Sequence, residues 1–109
     1  MAYDEALAQR LRGLLAPRGD VTERKMFGGI AYMVHGNMAC GVIKDELMIR
    51  VGSDAHDAAL AEAHVRIMDF THRPTRGFLY VGTEGIATDE GLARWVNQAA
   101  GFAESLPPK

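Results

Sequence analysis

Between Val21 and Val51 the chain runs through short stretches of β-branched, aromatic and methionine residues, cut at close intervals by glycine. That pattern reads as an antiparallel meander. Side chains alternate along a strand, so Ile30, Tyr32 and Val34 fall on one side, which should face the core. Gly36-Asn37 separates two such runs and suits a type II′ hairpin turn, so Met38 to Ile43 must pair back on the preceding run. Lys44-Asp45-Glu46 makes a polar turn, after which Leu47, Ile49 and Val51 alternate with Met48 and Arg50 and predict a further strand.

The flanks have a different period. Tyr3, Leu7, Leu11, Leu14 and Leu15 collect on one face of a helix that Pro17 and Gly19 end. Ser53 is a predicted N-cap, with Asp54 in the first turn, for a short alanine-rich helix through Ala59, Leu60 and Ala63. Val65 to Met68 predicts another strand, Phe70 to Arg76 an irregular connector around Pro74, and Gly77 to Val81 the last strand. Thr88 or Asp89 then caps a helix whose stripe is Leu92, Trp95, Val96, Ala99, Phe102, Ala103 and Leu106, stopped by Pro107-Pro108. Neighbouring strands with helices segregated from them predict an α+β fold, an antiparallel sheet with helices packed against it, in the order α-β(3-4)-α-β(1-2)-α.

The chain has 109 residues, which predicts one domain over 1–109 with a single core. Its hydrophobic content of 48% against 24% charged is ordinary globular usage and argues against disorder. No apolar run reaches the length that spans a bilayer, and the acidic start lacks a signal peptide's basic and apolar regions. A soluble protein with no membrane contact is expected. Cys40 is the only cysteine, so no disulfide forms within the chain and the reducing cytoplasm is the expected compartment.

A formal net charge of −2 lacks the basic surplus of an autonomous nucleic-acid binder, so direct nucleic-acid binding is not expected. Arg10, Arg12 and Arg18, then Arg24 with Lys25, are interspersed with acidic residues and read as a mixed solvated surface. His35, His56, His64 and His72 lack the one-turn spacing of metal ligands and read as surface residues, so no metal site is expected. Cys40, between Ala39 and Gly41, reads as a buried inert thiol. Asp54, Asp57 and Glu62 read as helix solubility and dipole complementarity. No nucleophile elbow, phosphate loop or dinucleotide fingerprint occurs, and no cofactor is expected.

The block Arg24-Lys25-Met26-Phe27-Gly28-Gly29-Ile30, behind a leading amphipathic helix, resembles the signature of the TfoX/Sxy N-terminal domain family. Gly36-Asn37-Met38-Ala39, Leu47 to Val51, Pro74, Gly77 to Val81 and a closing helix with Leu92 and Trp95 follow in that family's order. The resemblance implies a fold like that of the type III secretion chaperones. It also implies a regulatory role exerted with another transcription factor, as in the two-domain competence regulators. This chain departs from those by ending at Lys109, where they continue into a small helical domain.

Gly28 and Gly29 supply backbone freedom for a bend between strands, with Met26 and Phe27 expected to flank it on opposite sides of the sheet. Lys25 is the member of the block that geometry does not demand, which makes it the first candidate for recognition. Arg73 and Arg76, around Pro74, are candidates for bidentate contacts to carboxylate or phosphate. The expected function is a non-enzymatic regulatory or protein-interaction domain, homodimeric, with a protein partner such as a transcription factor. The alternative is a small-ligand-binding or enzymatic protein with a basic pocket of Lys25, Arg50 and Arg73.

Overall fold

The computed structural model describes residues 3–26, 28–68 and 76–108, and of Met26 the backbone alone. Helix α1, Glu5–Leu15, begins where the Asp4 carboxylate accepts a hydrogen bond from the Leu7 N–H, which satisfies one of the donors a helix start leaves open. It buries Leu7, Ala8, Leu11 and Leu15. Pro17 sits in the 3₁₀ turn Ala16–Arg18 that follows, and Gly19 at φ 89° turns the chain into the sheet.

Strands β1 (Val21–Met26), β2 (Gly29–Val34), β3 (Asn37–Ile43) and β4 (Glu46–Arg50) form the meander. Helix α2 is short, His56–Leu60; β5 is Val65–Ile67, β6 is Phe78–Val81, and α3, Asp89–Ser105, closes the chain. The fold is α+β: a sheet of six strands in the order β1-β2-β3-β4-β6-β5, antiparallel throughout. β6 therefore enters between β4 and β5, and the exposed edges belong to β1 and β5. The Phe70 to Arg76 connector lies outside the described residues except for Arg76.

One face of the sheet carries the main core. Ile30, Tyr32, Val34, Val42, Leu47, Ile49, Leu79 and Val81 meet Leu11 and Leu15 of α1 and Leu92, Trp95, Val96 and Ala99 of α3, which is the burial that holds helices on a sheet. The opposite face holds a smaller cluster of Ala31, Ile43, Met48, Met68 and Tyr80, with Met38 and Phe78 packed on it. A register shift beside Tyr32 and Met33 leaves Ala39 as the extra residue of a bulge, so the neighbours Ala39 and Cys40 both lie in the main core despite strand alternation.

Three local expectations are corrected. The β2–β3 turn is His35-Gly36, not Gly36-Asn37: Val34 pairs with Asn37, and both turn residues have positive φ, 53° and 82°, the signature of a type I′ turn. Asn37 is thereby released to donate its side-chain amide to the carbonyls of Ala103 and Pro107 at the end of α3. Ser53 does not cap α2; the cap position is Ala55, without a side-chain bond. His56 is not a surface residue but 7% exposed, with Nδ1 accepting from the Gly77 N–H at 2.8 Å. Thr88 is the cap of α3, its hydroxyl oxygen accepting from the Gly91 N–H.

Candidate functional site

The signature block forms the β1–β2 hairpin, and its two glycines do different work. Met26 pairs with Gly29 across a two-residue turn in which Gly28 has φ 75°. Gly29 instead lies so close to β3 that a Cβ would collide with the Val42 carbonyl oxygen, and one at Gly41 would meet the Ile30 carbonyl. This reciprocal approach of β2 and β3 requires hydrogen at both α-carbons. Phe27 and the side chain of Met26 lie outside the described residues, as does their expected packing on opposite sides.

Lys25 lies opposite Ile30 and Arg24 opposite Ala31. Directly opposed residues point to the same face, so Lys25 shares the helix-covered side and Arg24 the other. Thr22 through Lys25 are all exposed. The pair flanking a two-residue turn is hydrogen-bonded, and bonding alternates along the strand, so Met26, Arg24 and Thr22 bond to β2. The N–H and C=O groups of Glu23 and Lys25 then point outward from the edge, while the Val21 N–H is taken by the Gly19 carbonyl. The bond from the His35 N–H to the Asp20 carbonyl continues this alternation.

Most of the described arginines are partnered. Arg10 pairs with Asp89, Arg12 with Glu23, Arg18 with Glu104, Arg66 with Glu46, Arg76 with Asp57 and Arg94 with Glu62. Hydrogen bonding to Arg76 holds the Asp57 carboxyl below its ordinary range. Among the described residues the cations without a carboxylate partner are Arg24, Lys25, Lys44 and Arg50. The first two are adjacent on the exposed edge.

Arg50, at the end of β4, is half-buried with its guanidinium 5.5 Å from the Phe78 ring centre and 5.4 Å from that of Phe102. Phe78 is its cross-strand neighbour on β6. Phe102 reaches it from α3 over Gly52, where φ is 85° and a Cβ would strike the ring. The α3 stripe read Phe102 as core; it is instead a partly exposed clamp.

The structure separates Lys25 from Arg50. Lys25 lies in register with Ile30, Val42 and Leu47 across successive strands, and Arg50 is further along β4. Three strand spacings make about 14 Å across, and three residues make about 10 Å along. The basic pocket expected from Lys25, Arg50 and Arg73 is therefore not assembled by the two that are described; Arg73 lies outside the described residues. Arg76 is near neither, being tied to Asp57 beside α2.

The single thiol is sealed. Cys40 is 0% exposed, and burial pushes its thiol up to about 12 from 9.0, which keeps it protonated and unreactive at neutral pH. Among the described residues no cluster of His, Cys, Asp or Glu large enough to hold a metal ion occurs, and no helix is long and apolar enough to cross a membrane.

A family model, the TfoX N-terminal domain, matches residues 13–103. No curated protein matches the chain.

Proposed function

Since the chain belongs to the TfoX N-terminal domain family, we propose that it is a non-enzymatic regulatory domain that works by binding a protein partner in the cytoplasm. The observation that carries this reading is β1: an exposed edge with outward backbone groups and two adjacent cations without carboxylate partners among the described residues. Open edges template strand addition. Charges on an edge discourage indiscriminate pairing, so Arg24 and Lys25 select a partner strand that brings acidic side chains, which is specificity by exclusion as much as by attraction.

The burial of Cys40 and the absorption of Asp57 and Glu62 into ion pairs support a scaffold over a catalyst. A transcription factor is the partner class that the family resemblance implies, and the net charge of −2 supports contact with that protein instead of with nucleic acid directly. A homodimer formed through other sheet or helix surfaces completes the proposal.

Affinity enrichment from the native cytoplasm, comparing the wild-type chain with Lys25→Ala and Arg24→Glu, tests the reading. One protein retained by the wild type and lost by both variants is expected; identical retention by all three overturns the assignment to β1. Light scattering tests the dimer, which a concentration-independent monomer mass removes.

A further inference from the structure

The geometry points to Arg50 as a second recognition site, one that takes the carboxylate of an aspartate or glutamate on an acidic, apolar peptide segment. The site rests on the reading of the chain as an interaction domain, but it lies at the far end of the sheet from Lys25 and uses different elements.

A guanidinium covered on its faces by aromatic rings is held in orientation and stripped of much of its hydration. What remains accessible is the rim of N–H donors, whose fork geometry matches a carboxylate. Arg50 has its guanidinium carbon over both the Phe78 and the Phe102 ring, 5.5 and 5.4 Å from their centres, within the range of that attraction. Other arginines that stack on a ring are already consumed: Arg66 over Tyr80 pairs with Glu46, and Arg94 over Trp95 pairs with Glu62. Arg50 alone among the stacked arginines of the described residues combines two rings with no carboxylate.

Such a group costs stability when buried without an anion, because desolvation is incurred and the compensating charge is missing. Half-burial reduces that cost and leaves part of the side chain in contact with solvent. Phe78 and Phe102 are themselves partly exposed, and Met38 and Phe78 both pack on the smaller cluster of the same sheet face. Arginine set among aromatic and methionine surface is the composition of an interface hot spot. The apolar collar is what favours a peptide carboxylate over a free, strongly hydrated phosphate.

The test follows the Arg50 Nε–H resonance in the full chain. The probes are the capped tripeptide acetyl-Leu-Glu-Leu-amide, its glutamine counterpart and inorganic phosphate. Expected is a saturable shift with the glutamate peptide that is at least about tenfold weaker with the glutamine peptide, since the charge-assisted fork is lost. Binding followed at the Phe78 and Phe102 ring resonances should fall by about tenfold or more in Arg50→Lys, which keeps the charge but not the fork. Phe102→Leu, which keeps the arginine and removes one ring, serves equally if Arg50→Lys does not fold. Equal binding of the two peptides, undiminished binding in the variants, or phosphate saturating below the glutamate peptide overturns the assignment. Lys25→Ala should leave these shifts unchanged, so failure at Arg50 and failure at β1 are read separately.

Discussion

The Tyr32 hydroxyl, buried in the middle of β2, donates a hydrogen bond of 3.1 Å to the Ala8 carbonyl inside α1. It ties sheet to helix through a polar bond within the main core. Tyr32→Phe removes the donor but keeps the ring, so a loss of about 1 kcal/mol is expected in urea unfolding, the usual net value of one such bond. Tyr32→Leu, which also opens space, should cost more.

Burial acts on the titration of the same residue. Desolvation pushes the Tyr32 phenol up to about 12 from 10.0, against the opposing pull of Arg12, and lifts the Cys40 thiol to about 12 from 9.0. Both folded-state values lie above the unfolded ones, so the unfolded chain releases these protons first. Their contribution is complete below about pH 9 and is lost as pH rises towards 12. Unfolding midpoints across that range should fall for the wild type and fall less steeply for Cys40→Ala and Tyr32→Phe. A slope unchanged in both variants would contradict the burial argument.

Cys40 itself should ignore an aromatic disulfide reagent in the folded protein near neutral pH and react fully in denaturant. Rapid labelling of the native chain would show that the thiol is reachable and reopen the catalytic question.

The α+β class was legible because it depends on periodicity, which a single sequence displays directly: alternation in Ile30, Tyr32 and Val34, and helical spacing in Leu7, Leu11 and Leu15. The burial of Cys40 was legible from its place as a small apolar residue between Ala39 and Gly41. What was hidden depends on partners distant in sequence. Asn37 looks like a turn residue until α3 arrives above it, and His56 looks like a surface residue until the Gly77 N–H is brought to its ring. Phe102 fits a core stripe by spacing, and nothing local says that Arg50 and Gly52 wait beside it. Ser53 failed for a different reason: capping chemistry marks where a helix is able to start, and α2 starts later, at His56.

Gly28 and Gly29 should separate experimentally. Gly28 needs only its positive φ and has open space around a Cβ, so Gly28→Ala should cost about 1 kcal/mol of backbone strain. Gly29 faces the Val42 carbonyl, and Gly29→Ala must push β2 and β3 apart at the centre of the meander, at a cost of about 3 kcal/mol. Gly41→Ala should resemble Gly29→Ala because it meets the same pair of strands from the other side. Equal costs at Gly28 and Gly29 would show that the pair acts only through turn flexibility.

Asn37 offers the sharpest test of how the last helix is held. Its side-chain amide donates to the Ala103 and Pro107 carbonyls at 3.4 and 3.0 Å, and the residue is 2% exposed. A helix end leaves carbonyls short of partners, and here Asn37 of β3 adds a second donor to the Ala103 carbonyl, which the Leu106 N–H also reaches, and supplies one to the Pro107 carbonyl just beyond the helix. Asn37→Ala should cost about 1 to 2 kcal/mol and speed amide exchange in the last turn of α3 more than in its first. Asn37→Asp is nearly the same shape but replaces donors by acceptors, setting a buried carboxylate against two carbonyl oxygens beside the negative end of the helix dipole. It should therefore destabilise more than alanine, and more severely as pH rises through the carboxylate range. An aspartate variant as stable as the alanine one would show that shape, not donation, is what Asn37 provides.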